Sequence, residues 1–224
     1  MKFSVIIPSK NSVNLLACVE AIKTHEPTLP RAKIITVDDG LDRIPDGIWV
    51  VRGDKPFVFG RNVNLGIVAA GEDDVIVLND DALLQTPGGF TVLSCMAEEH
   101  HEYGLISATT NNTGNTAMYP KKIGLRQEGR MVTFICVYIR RSTIRTVGLL
   151  DERYVDYGMD DDDYCFSVRR AGLKLGIYDG CFVDHKSLKS SYRGDARAGG
   201  NFLPNLARFK QMWGCDNWGR PGRA

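Results

Sequence analysis

The sequence predicts an α/β protein with a doubly wound, mostly parallel sheet that is flanked by helices. Short runs rich in Val and Ile alternate with stretches of helical periodicity through the first half of the chain. Strands separated by helices of this length are typical of βαβ units, which place neighbouring strands in parallel. Polar residues follow several of these strands. Because ligands bind beyond the carboxyl ends of such strands, the pattern also predicts where a site should lie.

The first half of the chain contains four predicted strands and two predicted helices. The strands are at 3–7, 33–37, 48–51 and 75–78, and the helices are at 13–23 and 62–70. Branched and aromatic residues dominate the strands, as a pleated and buried surface favours. Gly71 directly follows the second helix and suits its end, because glycine readily adopts the left-handed conformation at that position.

The second half of the chain is less regular. Strands are predicted at 104–108, 131–140, 174–178 and 181–185, and helices at 88–101, 143–148 and 205–214. Residues 109–114 form a polar loop of Thr, Asn and Gly. Residues 186–204 are rich in Ser, Gly, Arg and Lys with few apolar side chains, which predicts a mobile loop.

Length and composition fit one sizeable globular domain and exclude several functions. The chain has 224 residues, of which 43% are hydrophobic and 25% charged, and its net charge of +1 gives no electrostatic case for binding nucleic acid. The six cysteines are scattered without a C-x-x-C pair, which predicts reduced thiols in a cytoplasmic protein. No apolar run approaches about 18 residues, so no transmembrane segment is predicted and any membrane contact would be peripheral.

The most unusual local feature is a run of four consecutive aspartates at residues 160–163. A helical stretch follows, with Arg169 and Arg170 in its last turn and Gly172 as the residue beyond its end. Exposed N–H groups and the helix dipole favour negative charge at a helix N-terminus, which explains why the run is tolerated. The run is then either a solvated acidic turn or part of a functional site.

Polar residues follow three of the predicted strands in the first half. Because the carboxyl ends of parallel strands meet at one edge of the sheet, we expect these groups to converge there. Each group by itself would also fit an ordinary turn or helix cap. The groups are Pro8-Ser9-Lys10-Asn11, Asp38-Asp39-Gly40 and Asn79-Asp80-Asp81.

Several motifs occur in a defined order along most of the chain. They are FSVIIP (3–8), TVDDG (36–40), FGRNVNLGI (59–67), VLNDD (77–81), GLLDE (148–152) with DDDDYC (160–165), FVDH (182–185) and FKQMWG (209–214). Their order and spacing resemble the family 2 glycosyltransferases of the GT-A fold, in particular the rhamnosyltransferase-like branch. The chain departs from that pattern at Asn79, which occupies the first position of the D-x-D motif.

The resemblance implies a metal-dependent, inverting transfer of a sugar from a nucleotide-diphosphate-sugar to a hydroxyl of a glycan or polysaccharide acceptor. In a single domain spanning 1–224, residues 1–108 would bind the nucleotide and 109–224 would hold the acceptor and the catalytic groups. Asp81 and His185 would hold Mn²⁺ or Mg²⁺ together with diphosphate oxygens and water, and the imidazole favours Mn²⁺. Asp161 would be the general base, and Asp160 is its neighbouring alternative.

The resemblance also implies a nucleotide pocket. Arg61 suits the diphosphate by its charge and planar fork, although a solvated surface arginine is the simpler interpretation of the residue alone. Asn64 is expected to brace the loop rather than touch substrate. The residues expected around base, ribose and diphosphate are Pro8, Ser9, Asp38, Asp39, Arg61, Asn79 and Asp80.

Other roles are expected near the aspartate run and the C-terminus. Asp160 and Asp163 would support the start of the helix, and Asp162 would be solvated. Trp213 and Trp218 would either pack in a terminal core or stack on a sugar.

Two other functions stay open at the level of sequence. Sugar nucleotidyltransferases share the architecture and the metal dependence, but they resemble one another in a glycine-rich loop after the first strand. Here that loop, Pro8-Ser9-Lys10-Asn11, contains no glycine. A degenerate, non-catalytic module for binding a sugar or nucleotide is the second alternative, and Asn79 in the D-x-D position is its best support.

Overall fold

The structure is a computed structural model that describes residues 2–155, 158–190 and 202–216. Strands and helices alternate along the first half of the chain, as predicted. The strands are β1 (Phe3–Ser9), β2 (Ile34–Asp38), β3 (Trp49–Arg52), β4 (Asp74–Leu78), β5 (Leu83–Leu84), β6 (Tyr103–Thr110), β7 (Leu125–Glu128), β8 (Cys136–Ile139) and β9 (Lys174–Asp184). The helices are α1 (Ser12–His25), α2 (Phe59–Ala69), α3 (Gly89–Glu99), α4 (Arg141–Val147), α5 (Asp160–Arg170) and α6 (Phe202–Trp213).

In the described part of the chain, nine strands form one sheet in the order β3-β2-β1-β4-β8-β6-β9-β5, and β7 pairs with β9. Strands β1 to β4 are mutually parallel, and β9 pairs in parallel with β6. Strand β8 lies antiparallel between β4 and β6, so β6 and β9 point in the same direction as β1 to β4. The carboxyl ends of these six strands therefore share one edge of the sheet.

Helices cover both faces of the sheet. On one face, α1 and α3 contribute Leu15, Val19 and Phe90 to an apolar core. On the other face, α2, α4 and α5 contribute residues such as Ile67 and Tyr164. This arrangement confirms the predicted α/β class with its mostly parallel sheet and flanking helices, because both layers bury the apolar stripes that the periodicity indicated.

Two glycines explain how α2 packs and ends. A Cβ atom at Gly66 would overlap the Ile6 side chain of β1, so the helix can approach the sheet closely only with glycine at this position. Gly71 has φ +61° and follows the helix as predicted, in the left-handed region that glycine adopts without strain.

The prediction of one long strand over residues 131–140 is wrong. Only Cys136–Ile139 joins the sheet, and the preceding residues form an irregular segment. Val132 in that segment accepts a hydrogen bond from Cys165 Sγ at 3.5 Å, and its N–H lies 3.4 Å from the same sulfur. Val132 is therefore buried against α5, and Met131 is buried outside the sheet, so their apolar pattern indicated burial and not a strand.

The predicted strands at 174–178 and 181–185 are one continuous strand, β9, with an irregularity in its pairing with β6 between Ala108 and Thr109. Strand β6 extends to Thr110, two residues into the predicted polar loop. Helix α6 begins at Phe202, so the predicted loop at 186–204 is too long at its C-terminal end. Residues 191–201 of that loop, and Trp218, lie outside the described residues.

Candidate active site

The polar groups that follow β1, β2 and β4 meet at one edge of the sheet, as their order predicts. The Ser9 hydroxyl donates to Asp80 Oδ2 at 2.6 Å, and the Asp39 N–H donates to the Ser9 carbonyl at 2.8 Å. Both contacts join strands that are far apart in the chain and adjacent in the sheet. The strand ends therefore form one polar cluster.

A cavity of about 640 Å³ opens beside this cluster. It brings together seven of the predicted site residues, namely Pro8, Asn79, Asp80, Asp81, Asp160, Asp161 and His185. The predicted nucleotide contacts Ser9, Asp38, Asp39 and Arg61 are not among its lining residues within the described part of the chain. One cavity thus contains both the predicted metal ligands and the predicted base.

Asp38 and Asp39 are held by local partners at the end of β2. Asp38 Oδ1 accepts the N–H groups of Gly40 and Leu41 at 2.8 and 2.7 Å, which closes a turn. Asp39 is buried and its Oδ1 lies 2.7 Å from Lys55 Nζ. Both carboxylates stabilise the loops at the sheet edge, and Lys55 offsets the charge of the buried one.

Arg61 and Asn64 tie α2 to neighbouring loops. The Arg61 guanidinium lies 3.3 Å from Asp54 and 3.4 Å from Glu152, so two carboxylates already engage it. Asn64 exchanges two hydrogen bonds of 2.9 Å with the main chain of Leu150. Asn64 therefore braces a loop, as expected.

His185 and Asp81 form a buried pair in the cavity wall, although they lie 104 residues apart in the chain. His185 Nε2 is 3.1 Å from Asp81 Oδ1, and its Nδ1 is 2.7 Å from the carbonyl oxygen of Asn112. Because a carbonyl can only accept, Nδ1 must carry a proton. Nε2 then meets the carboxylate either as an N–H donor of a charged ring or as a lone pair that can share a cation with it.

The geometry of this pair suits two neighbouring ligands of a divalent cation. Neighbouring ligands of an octahedral ion with bonds of about 2.1 Å lie about 3.0 Å apart, close to the separation of Nε2 and Oδ1. The described residues contain no group of three or more His, Cys, Asp or Glu side chains placed to hold a metal. A cation would therefore need oxygens from a ligand or from water to complete its shell.

Helix α5 begins at Asp160, so the aspartate run occupies its first turn as predicted. The preceding Met159 has φ +74° and is buried, with part of its surface on the cavity. A residue other than glycine in this region is strained, and such strain is common at functional sites. The bend turns the start of α5, and with it Asp160 and Asp161, toward the cavity.

Asp160 and Asp161 are half-buried because they line the cavity. The surrounding protein desolvates them, which raises the pKa of Asp160 to about 7 and the pKa of Asp161 to about 6. The charge of Asp161 raises the pKa of Asp160 further. Main-chain N–H groups oppose the shift at both carboxylates, including those of Asp162 and Phe134 at Asp161. The two carboxylates therefore titrate as a pair, and both have pKa values above that of an ordinary aspartate.

The other two aspartates of the run are buried. Only 4% of the surface of Asp162 is exposed, so the prediction that it is solvated is wrong. Its place in the first turn of α5 directs its side chain into the protein. Asp163 Oδ1 accepts hydrogen bonds from Trp213 Nε1 at 2.8 Å and from the Tyr154 hydroxyl at 3.1 Å. Asp163 thus links α5 to α6.

Helix α6 forms the cavity wall on the side of α5. Its residues Phe202, Leu206 and Lys210 line the cavity, and Asn205 donates to the carbonyls of Val155 and Gly158 at 2.8 and 3.1 Å. Trp213 packs edge-on against Phe166 and at a tilt of 38° against Phe209, so it belongs to a small terminal core, which is one of its two expected roles.

Several cavity residues carry no sequence motif. Arg130, Met131 and Phe134 come from the irregular segment before β8, and the apolar pattern from Met131 onward resembled a strand. Asn112 does not line the cavity but contacts His185, and it comes from the polar loop after β6. The rule that ligands bind beyond the carboxyl ends of parallel strands applies to β6 as it does to β1, β2 and β4, so it could have predicted a role for Asn112.

The described chain superimposes on solved glycosyltransferase structures over nearly its full length. GalNAc-T7 with UDP, GalNAc and Mn²⁺ matches 95% of this chain with a TM-score of 0.75 and 14% identity. The mannosyltransferase PcManGT from Pyrobaculum calidifontis, with GDP-Man and Mn²⁺, matches 94% with a TM-score of 0.67 and 15% identity. S. aureus TarS with UDP-GlcNAc matches 96% with a TM-score of 0.67 and 11% identity. The chain has the GT-A fold.

This chain spans only part of the length of the glycosyltransferases it resembles. It spans 48% of the GalNAc-T7 chain, 64% of PcManGT and 67% of TarS. An uncharacterized protein, y4gI of Sinorhizobium fredii, is 27% identical over 210 residues, which cover 75% of this chain and 23% of that protein. No protein-family model matches the chain. No helix among the described residues of this GT-A fold is long and apolar enough to cross a membrane.

Proposed function

We propose that this chain is a metal-dependent, inverting glycosyltransferase that moves a sugar from a nucleotide-diphosphate-sugar to an acceptor hydroxyl. The observation that carries the proposal is a single cavity that contains the Asp81–His185 pair and the Asp160–Asp161 carboxylates. A cation site and a general base beside one another are the two elements that such a transfer requires. The sequence motifs favour a family 2, rhamnosyltransferase-like enzyme that acts on a glycan.

The donor would bind along the carboxyl ends of β1 and β4. Pro8, Asn79 and Asp80 line this part of the cavity, within the half of the chain proposed for the nucleotide. Asp81 and His185 would hold Mn²⁺ or Mg²⁺ there, and the bound cation would neutralise charge on the leaving diphosphate. GalNAc-T7 and PcManGT with their nucleotides and Mn²⁺ support this placement by analogy of fold.

Asp161 would accept the proton of the acceptor hydroxyl. The acceptor oxygen then forms a bond to the anomeric carbon, and the bond from that carbon to the diphosphate oxygen breaks on the opposite side, which inverts the configuration. A pKa raised to about 6 keeps Asp161 mostly ionised at neutral pH and makes it a stronger base than an ordinary aspartate. Asp160 is the alternative base, because it lines the same cavity.

The acceptor would lie between α5 and α6, where Phe202 lines the cavity and keeps 37% of its surface exposed. We expect Phe202→Ala to raise the acceptor KM by roughly 10-fold, equivalent to about 1.4 kcal/mol, with little change in the donor KM, because an aromatic contact surface is lost. Leu203→Ala is the matched control, since Leu203 is 71% exposed and does not line the cavity. Initial rates against each substrate measure both effects, and a larger effect in the control would contradict this acceptor site.

The proposed function is tested with the purified chain and a panel of UDP-, dTDP- and GDP-sugars. Thermal-shift measurements with and without Mn²⁺ identify the donor, and release of the nucleoside diphosphate then measures turnover. We expect one nucleotide class to raise the melting temperature only when Mn²⁺ is present, because both ligands stabilise the folded state. A chain that neither binds nor hydrolyses any nucleotide-sugar with Mn²⁺ is not a glycosyltransferase.

A non-catalytic binding module is the second candidate. Asn79 favours it, because an amide replaces a carboxylate in the cavity wall where the D-x-D motif begins. Such a module would bind the nucleotide-sugar without releasing its diphosphate, even when acceptors are supplied. Turnover that is lost in Asp161→Asn while nucleotide binding is unchanged would exclude it.

A further inference from the structure

The loop after β6 lies against the residue that follows β9. Strands β6 and β9 are parallel neighbours, and Thr110 pairs with Val183 at their carboxyl ends. Asn111 and Asn112 therefore reach the sheet edge beside Asp184 and His185. Nothing in the sequence motifs assigns a role to either asparagine.

Four hydrogen bonds join this loop to His185 and its neighbour. Asn111 Oδ1 accepts the His185 main-chain N–H at 2.9 Å, and Asn111 Nδ2 donates to Asp184 Oδ1 at 2.8 Å. Asn112 Nδ2 donates to the His185 carbonyl at 3.0 Å, and the Asn112 carbonyl accepts from His185 Nδ1 at 2.7 Å. The loop thus engages the N–H, the carbonyl and the ring of one histidine.

The contact to the ring has a chemical consequence. A proton held on Nδ1 by a carbonyl leaves Nε2 as the atom that faces Asp81 and that a cation would use. The Asn111 side chain holds the main chain of His185. Its amide oxygen accepts the His185 N–H while its amide nitrogen donates to the Asp184 carboxylate. An aspartate at position 111 has the same shape but would place a second carboxylate beside Asp184.

We propose that Asn111 and the main chain of Asn112 form a clamp that holds His185 with its proton on Nδ1, so that Nε2 remains available to bind a divalent cation. Asn111 is then a positioning residue: it touches neither the cation nor the substrate. The clamp would align the imidazole before the cation arrives, which lowers the cost of ordering the site when it binds. This inference rests on the proposed cation site.

The test compares wild type with Asn111→Asp, Asn111→Ala and the control Ser187→Ala. Ser187 hydrogen-bonds to Asp184 as Asn111 does, but among the described residues its side chain forms no hydrogen bond with His185. Electron paramagnetic resonance measures binding of Mn²⁺ alone, and ¹⁵N-resolved NMR of the metal-free protein reports which nitrogen of His185 carries the proton. His185→Ala assigns that signal among the four histidines of the chain.

We expect both Asn111 variants to bind Mn²⁺ roughly 10- to 100-fold more weakly, as loss of a group that orients a metal-binding histidine typically does. We also expect the Nδ1–H signal of His185 to give way to a mixture of tautomers, most of all in Asn111→Asp. Ser187→Ala should match wild type in both measurements. Thermal melting checks that each variant is folded.

Wild-type Mn²⁺ affinity and an unchanged tautomer in folded Asn111 variants would overturn the clamp. A wild-type chain that binds no Mn²⁺ would instead remove the cation site from the proposed function. The NMR comparison then decides alone whether the clamp exists, so the two failures are distinguishable.

Discussion

Asp161→Asn is expected to lower the rate of sugar transfer by roughly 10²- to 10⁴-fold and to leave nucleotide-sugar binding unchanged. The amide cannot take the proton of the acceptor, but it keeps the size of the carboxylate and an oxygen that can accept the Asp162 N–H, which lies 2.9 Å from Asp161 Oδ1. Rates at saturating donor, together with donor affinity from thermal shifts, measure the two quantities separately.

The matched control is Asp160→Asn, which removes the neighbouring carboxylate from the same cavity and leaves Asp161 in place. This variant should retain most of the activity. If Asp160→Asn abolishes transfer and Asp161→Asn does not, the two residues exchange roles. If neither variant slows transfer, the base lies elsewhere.

The pH profile provides an independent check on the base. Because burial raises the pKa of Asp161 to about 6 and that of Asp160 to about 7, the active ionised base is lost as the pH falls through this range. We therefore expect kcat/KM to rise between about pH 5 and pH 8 in wild type. The two carboxylates titrate as a pair, so Asp160→Asn should reduce the profile to a single step.

The second large effect is expected at the proposed cation site. Asp81→Asn and His185→Ala should each lower Mn²⁺-dependent transfer on the order of 10²- to 10³-fold, because charge on the leaving diphosphate would lose its stabilisation. The double variant should be little worse than either single variant, since the two side chains act as a unit. Turnover is measured across a range of Mn²⁺ concentrations, with circular dichroism to confirm folding.

His100→Ala is the control for this experiment. His100 is a partly exposed histidine near the end of α3, and it does not line the cavity. The His100→Ala variant should bind Mn²⁺ and turn over the donor as wild type does. Full Mn²⁺-dependent activity in His185→Ala would show that the cation is held by other residues.

Much of the fold could be predicted because its signals are local. The β-branched runs of β1, β2 and β4 and the helices between them require parallel strands, and the handedness of such crossovers leaves few arrangements. Strand direction then predicted that Ser9, Asp39 and Asp80 would converge, and their hydrogen bonds show that they do. Gly172, with φ +81°, follows α5 as its sequence indicates.

Other features could not be predicted, because an apolar pattern indicates that a segment is buried but not which element it packs against. Met131 and Val132 are as apolar as a strand, yet Val132 packs against α5 and Met131 borders the cavity. Asp162 sits among charged neighbours in the sequence, yet the first turn of α5 buries it. The ion pairs of Arg61 with Asp54 and Glu152 join different loops, so no local pattern around Arg61 predicts them.

By itself, the sequence determined the α/β class, the order of most elements and the edge of the sheet where the polar groups meet, because periodicity and strand direction are properties of short segments. Only the tertiary structure decided that Asp81 faces His185 at 3.1 Å, that Asn111 and Asn112 hold that histidine, and which side chains share the cavity with Asp161. These contacts join segments far apart in the chain, so their geometry depends on how the whole sheet packs rather than on any local pattern.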